Sequence, residues 1–225
     1  MIRFDSENKI FYLETANTTY AMAVFEDKAL LHAYWGKRLS HPLSLDWLDT
    51  LEFRPLAPLD FGGYSTDMLP LEYSTFGSAD LRIPSLGAEY QDGSYYTRLE
   101  YVDYEIVKGK PALEGLPATY CEEGDRVETL VIHLADSLHD LHVYLSYTAF
   151  EELDAIARSA KIVNLGERAE INRAFSANVD ILGLEDHDII HLDGAWVRER
   201  SITRRKIDNF FMGYVSFGDG QKSYR

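Results

Sequence analysis

Strict alternation of apolar and polar residues, in runs too short for helices, is the feature that most restricts this chain. The clearest case is TLVIHLADSLHDLHVYLSYTAF, residues 129–150. Residues 131–134 read as one strand and 137–140 as a turn. Leu141, Val143, Leu145 and Tyr147 then share one face of the next strand, because side chains alternate sides along a strand. KIFYLETANTTYAMAVFEDKALLHAYWGKRL, residues 9–39, reads as three short strands with turns at 15–17 and 26–28. Residues 155–182 repeat the hairpin form around a turn at 164–166. The stretch FEELDAIARSA, residues 150–160, suits a helix by propensity. Ile156 and Ile162, with polar residues between them, suit a strand as well, and the strand-rich surroundings favour that reading. Many short strands with regular turn signals predict an all-β sandwich or barrel.

Apolar residues make up 46% of the 225, enough to bury a sizeable core. The 37 acidic residues outnumber the 22 basic ones, for a net charge of −15. Such a surface repels a phosphate backbone and an anionic membrane, which argues against both as partners. Cys121 is the single cysteine, so no internal disulfide can form, and a reducing, cytoplasmic setting fits. No apolar run approaches the ~20 residues that span a bilayer. The N-terminal residues alternate in polarity and lack the layout of a signal peptide.

Residues 40–87 break the pattern. They hold five of the seven prolines, together with Gly62, Gly63 and Gly77. Proline and glycine at this density interrupt ladders, so the segment reads as a long loop or arm, and loops of that length are often functional.

Chemistry-bearing motifs are weak. DHDIIH places Asp186, His187, Asp188 and His191 close together, but Ile189 falls between the two histidines and no third ligand is implied. SLHDLH, residues 137–142, is no better as a metal motif. GDGQKS near the end lacks the strand–loop–helix setting of a phosphate loop. Acids surround Cys121, which disfavours its thiolate. Glu122–Glu123, Glu151–Glu152 and Asp186–Asp188 are carboxylate pairs, and solvated surface is their simplest explanation in so acidic a chain. No metal or cofactor site emerges. HLDGAWVRER, residues 191–200, fits an active-site strand, a sugar-stacking platform or a packed structural corner equally well.

Several segments, taken in order, carry a resemblance: NTTYAMAVFEDKALLHAYWGKRL, LPLEYSTFGSADLRIPSL, VKGKPALEGLPATYCEEGDRVETLVIHLAD, VYLSYTAFEELDAIARSAKIVN and IIHLDGAWVRERSI. Together they resemble the N-terminal domain of glycoside hydrolase family 36, the α-galactosidases, from about residue 10 to about residue 213. The blocks GKPALEGLPATY and GAWVRER are its most specific parts.

The resemblance implies a β-supersandwich of galactose-mutarotase-like type, a single N-terminal domain over 1–225 that lacks its last strands. It also implies that the family's catalytic (β/α)8 barrel and C-terminal β-domain lie outside these residues. The family's nucleophilic aspartate stands in a Lys-Trp-Asp segment, and this sequence has none. The 225 residues are therefore expected to be inactive alone, within a parent enzyme that hydrolyses terminal α-galactosides with retention. The expected partners are the barrel, neighbouring subunits of a tetramer and α-galactoside sugars. In tetrameric members a loop of this domain helps bind galactose in a neighbour's active site, which assigns that role to Trp47, Asp49 and Arg54 of the arm. An aromatic face and polar groups suit a sugar ring and its hydroxyls. A free-standing carbohydrate-binding or protein-interaction module is the alternative. The resemblance also moves GAWVRER towards structure, with Trp196 as a packing anchor and Arg198 or Arg200 pairing with acids at a domain or subunit face.

Overall fold

A computed structural model describes residues 1–51, 61–77, 80, 82–115, 118–180 and 187–206. The chain divides into two compact units, Met1–Asp180 and a second whose described residues are 187–206.

The first unit holds two four-stranded antiparallel sheets. One contains β1 (Ile2–Asp5), β2 (Ile10–Glu14), β3 (Thr18–Phe25) and β4 (Ala29–Lys37) in sequence order. After the arm and β5 (Leu86–Tyr90), the other is built from β6 (Glu100–Lys108), β7 (Val127–Asp136), β8 (Leu141–Phe150) and β9 (Ala155–Asn164), again in order. Neighbours in sequence are neighbours in space, as short turns require. The turns expected at 15–17, 26–28 and 137–140 all separate strands. Residues 150–160 are a strand for most of their length, preceded by a 3-10 helix at Glu151–Leu153.

Alternation explains the second sheet. Leu130 pairs with Tyr147, Ile132 with Leu145 and Leu134 with Val143, and all six side chains are buried. They meet Leu13, Tyr20, Met22 and Val24 of the first sheet in one core. Burying a side chain of this size contributes ~1.5–3 kcal/mol, so this interior dominates the stability.

The first sheet departs from alternation. β3 is buried at six successive positions, from Thr19 to Val24. Its inner face carries Tyr20 and Met22. Its outer face carries Ala21 and Ala23, which with Ile10 and Tyr12 are covered by Leu39, Leu43 and Leu45 of the arm. The middle of the sheet is therefore buried on both sides, and β2 and β3 read as near-continuous apolar runs.

One hairpin expectation is corrected. β9 turns at 164–166, but the strand that follows, β10 (Ala169–Ala174), pairs with β5 and not with β9. Pairing with the distant β5 carries the chain off the sheet edge and back beside the end of the arm.

The second unit is a hairpin of β11 (Asp188–Ala195) and β12 (Arg198–Lys206). Trp196 and Val197 form its tip, and Trp196 is 90% exposed. The expectation that Trp196 is a packing anchor is thus overturned. At a tight hairpin tip the side chains project away from both strands, so an indole there gains no neighbours from its own sheet. Within the hairpin, Arg204 Nε lies 2.6 Å from Asp188.

Candidate carbohydrate-binding arm

The arm leaves β4 and crosses the outside of the first sheet. Leu39 N–H donates to the Thr19 hydroxyl at 3.1 Å, and Leu43 N–H donates to the Tyr12 hydroxyl at 2.9 Å. Buried strand side chains thus satisfy the arm's backbone where it lies against the sheet. A 3-10 helix follows at Asp46–Thr50. Leu48 points inward and is buried with Ala29, Leu31, Phe61 and Leu69. Trp47 is half-buried against the same cluster, and Asp46 and Asp49 are exposed. Residues three apart eclipse one another on a 3-10 helix, so Asp46 and Asp49 present two carboxylates on one side.

Of the three residues expected to contact sugar, Trp47 and Asp49 therefore share one short helix fixed by Leu48. Arg54 lies outside the described residues. Gly62, at φ +57, lets the chain fold back over the Phe25 ring, which stands 2.7 Å from where a Cβ would be. A side chain there would meet both a strained backbone and a clash.

Two polar clusters fix the rest of the arm. Arg82 Nε and Nη2 donate to the buried Asp80 carboxylate at 2.9 and 2.7 Å, and Nη1 reaches Asp180 at 3.1 Å. Its Nη2 also donates to the carbonyls of Thr66 and Leu69 at 2.9 and 3.0 Å. Burial raises the Asp180 carboxyl above its ordinary value, against the opposing pull of Arg82.

The other cluster centres on Glu72, which has no exposed surface. Its Oε1 accepts from the hydroxyls of Tyr20 and Tyr147, at 2.5 and 2.9 Å, and lies 2.6 Å from Arg158 Nη2. Its Oε2 is 3.3 Å from His32 Nδ1. Burial, reinforced by the Glu72 charge, pushes the Tyr147 phenol well above its ordinary value. Arg158 and Tyr147 belong to one sheet, Tyr20 and His32 to the other, and Glu72 to the arm. The cluster therefore ties all three together. With Oε1 saturated and the group sealed from solvent, its chemistry is that of a structural tie. The sequence hid it, since Glu72 sits between Leu71 and Tyr73 in a loop and its partners lie far away in the chain.

The cavity beside this arm, lined by residues including Phe61, Thr66, Tyr73, Asp80 and Thr97, measures about 30 Å³. That is room for ordered water, far below the size of a ligand pocket.

Two of the histidines singled out in sequence have local partners. His191 Nδ1 is 2.8 Å from Asp193, and His139 stacks on Tyr90 with ring centres 3.5 Å apart. Among the described residues no group of three or more His, Cys, Asp or Glu side chains could hold a metal ion. Among them, too, no helix is long and apolar enough to cross a membrane.

Comparison with known proteins agrees with this architecture. The chain is 40% identical over 209 residues to the α-galactosidase AgaA of Geobacillus stearothermophilus, covering 92% of this chain and 28% of that protein. The crystal structure of the α-galactosidase AgaB of the same organism superposes with a TM-score of 0.84 at 39% identity, over 92% of this chain and 28% of that one. A substituted form of AgaA, solved in complex with raffinose, superposes with a TM-score of 0.81 at 40% identity, over 89% of this chain and 28% of that one. The chain thus spans under a third of the length of the relatives it matches. The sequence profile of the glycosyl hydrolase family 36 N-terminal domain matches residues 28–210, and the chain belongs to that family.

Proposed function

We propose that this chain serves as the non-catalytic domain of a retaining α-galactosidase acting on terminal α-galactosides of the melibiose and raffinose type. In this reading it scaffolds the barrel, supports a cytoplasmic oligomer, and lends its arm to the sugar site of a neighbouring subunit. Trp47 offers an aromatic face to the galactose ring, and Asp49, with Arg54, binds hydroxyls.

The observation that carries the arm's role is the 3-10 helix Asp46–Thr50. Leu48 locks it to the core while Asp49 stays exposed and Trp47 only half-buried. A loop serving only to pack has no need to hold acids outward beside an indole.

Two measurements test the reading. The 225-residue chain alone should release nitrophenol from a nitrophenyl α-galactoside at the background rate, and sustained turnover would refute the non-catalytic assignment. Joined to the barrel and C-terminal domain of a relative, Trp47→Ala should raise KM for raffinose by about tenfold, equivalent to ~1.4 kcal/mol, with kcat nearly unchanged. An unaltered KM removes the arm from the sugar site.

A further inference from the structure

Two strands of opposite charge stand at the edges of their sheets. β12, RERSITRRK, carries five basic residues and one acid, although the net charge of the whole chain is −15. β6, EYVDYEIVK, carries Glu100, Asp103 and Glu105 against a single base, Lys108. Among the described residues β12 pairs only with β11 and β6 only with β7, so each keeps one edge without a strand beside it. Both strands are exposed along most of their length. An open edge is a template for another strand.

Charge decides which edge suits β12. A second β12 would set cation against cation, and β9 presents Arg158 and Lys161 with no acid. Like charges on facing strands repel. In the first sheet, β1 has only four residues, and β4 is occupied by the arm. There the His32 N–H donates to the Pro70 carbonyl at 2.7 Å, and the Glu72 N–H to the Leu30 carbonyl at 2.9 Å. The acids of β11, Asp188 and Asp193, are engaged by Arg204 and Thr203 of their own hairpin. Of the four edges of the two large sheets, β6 is the acidic one.

One antiparallel register matches the two strands. Glu105 opposite Arg204 brings Asp103 opposite Lys206 and Val107 opposite Ile202. Each trio already shares a face. Asp103, Glu105 and Val107 stand opposite His133, Val131 and Thr129, and Ile202, Arg204 and Lys206 stand opposite Leu192, Ile190 and Asp188. Ile202, 74% exposed, gains an apolar neighbour in Val107. On the reverse face Tyr104 meets Arg205. A slip of one residue turns every side chain to the wrong face, and a slip of two keeps only one of the two acid–base pairs.

We propose that β12 of one copy of this chain adds to the β6 edge of a second copy in this register, extending that copy's sheet from four strands to six. Main-chain hydrogen bonds hold the contact and charge selects it, as when an extended segment joins an open sheet edge. This names a surface for the oligomer proposed above and rests on that part of the reading. Association is read by mass and the non-catalytic assignment by turnover, so either can fail without the other.

Analytical ultracentrifugation of the 225-residue chain tests the contact. Across a micromolar concentration series at low salt the average mass should rise above that of one chain, and added salt should weaken the association by screening. A single-chain mass throughout overturns the proposal. Amides of residues 103–107 should gain exchange protection as concentration rises, and a rising mass without that gain also overturns it. Asp103→Lys with Glu105→Lys, and separately Arg204→Glu with Lys206→Glu, should each raise the dissociation constant at least about tenfold, because like charges then face each other. Mixing the two variants restores opposite charges across the contact and should restore association. Circular dichroism verifies that both are folded. Reversals without effect, or folded variants that stay apart when mixed, overturn the pairing.

Discussion

Glu72 and Arg158 form an ion pair at 2.6 Å with Glu72 wholly inaccessible and only 12% of the Arg158 side chain exposed. Arg158 also donates to the Asn178 carbonyl at 2.6 Å, and Asn178 Nδ2 donates to the Leu71 carbonyl at 2.8 Å. Removing the charge at one end leaves a buried guanidinium without its counterion. Glu72→Gln should therefore cost about 3–5 kcal/mol in urea unfolding. The double variant Glu72→Leu with Arg158→Met should be the more stable of the two, because no unpaired charge remains. A double variant as unstable as the single one would mean that shape, not charge, makes the tie.

Alkaline pH should act through Tyr73. Its phenol donates to the Phe175 carbonyl at 2.8 Å, and burial pushes it up from 10.0 to about 12. The folded value lies above the unfolded one, so the folded chain favours the neutral phenol. That stability is fully present below pH 10 and is lost as pH rises through about 12. Tyr73→Phe should lose ~1 kcal/mol at neutral pH, from the missing hydrogen bond, yet fall less steeply across that alkaline window. Urea titrations on both sides of the window measure the two slopes, and parallel slopes would refute the assignment.

Leu48→Ala should detach the 3-10 helix from its cluster. Leu48 is 5% exposed, and truncating a buried leucine costs about 2–5 kcal/mol. The loss should be accompanied by faster proteolysis within residues 40–51, with the strands still protected. Uniform loosening of the whole first unit would place Leu48 in the central core instead.

Legibility in the sequence followed the number of faces each strand buries. β7 and β8 bury one face, so their alternation survives in the sequence and gave strands, turn and register face correctly. β3 buries both faces because the arm covers Ala21 and Ala23, and a continuous apolar run carries no record of which side meets which layer. The β10–β5 pairing escaped notice because local turn chemistry at 164–166 says nothing about a partner some eighty residues earlier. Trp47 and Asp49 drew attention through the family resemblance of the arm, with their residue types choosing them within it. Glu72 did not, because a glutamate in a loop reads as solvated until Tyr20, His32, Tyr147 and Arg158 converge on it.

Trp196 shows the opposite error, since a rare indole inside a specific motif invites a core assignment. Its position between β11 and β12 leaves it 90% exposed, with Val197 beside it at 75%. A buried indole would lose about 3–5 kcal/mol on truncation to alanine. An exposed residue at a hairpin tip, away from caps and ion pairs, should change stability by less than about 0.5 kcal/mol. Trp196→Ala should therefore leave the thermal midpoint almost unchanged, whereas Gly194→Val should lower it. A Cβ at Gly194 would stand 2.7 Å from the Arg198 carbonyl oxygen, so the bulge that forms the tip tolerates no side chain there. A large drop for Trp196→Ala alone would restore the anchor. The expected pattern assigns the specificity of GAWVRER to the backbone of its turn.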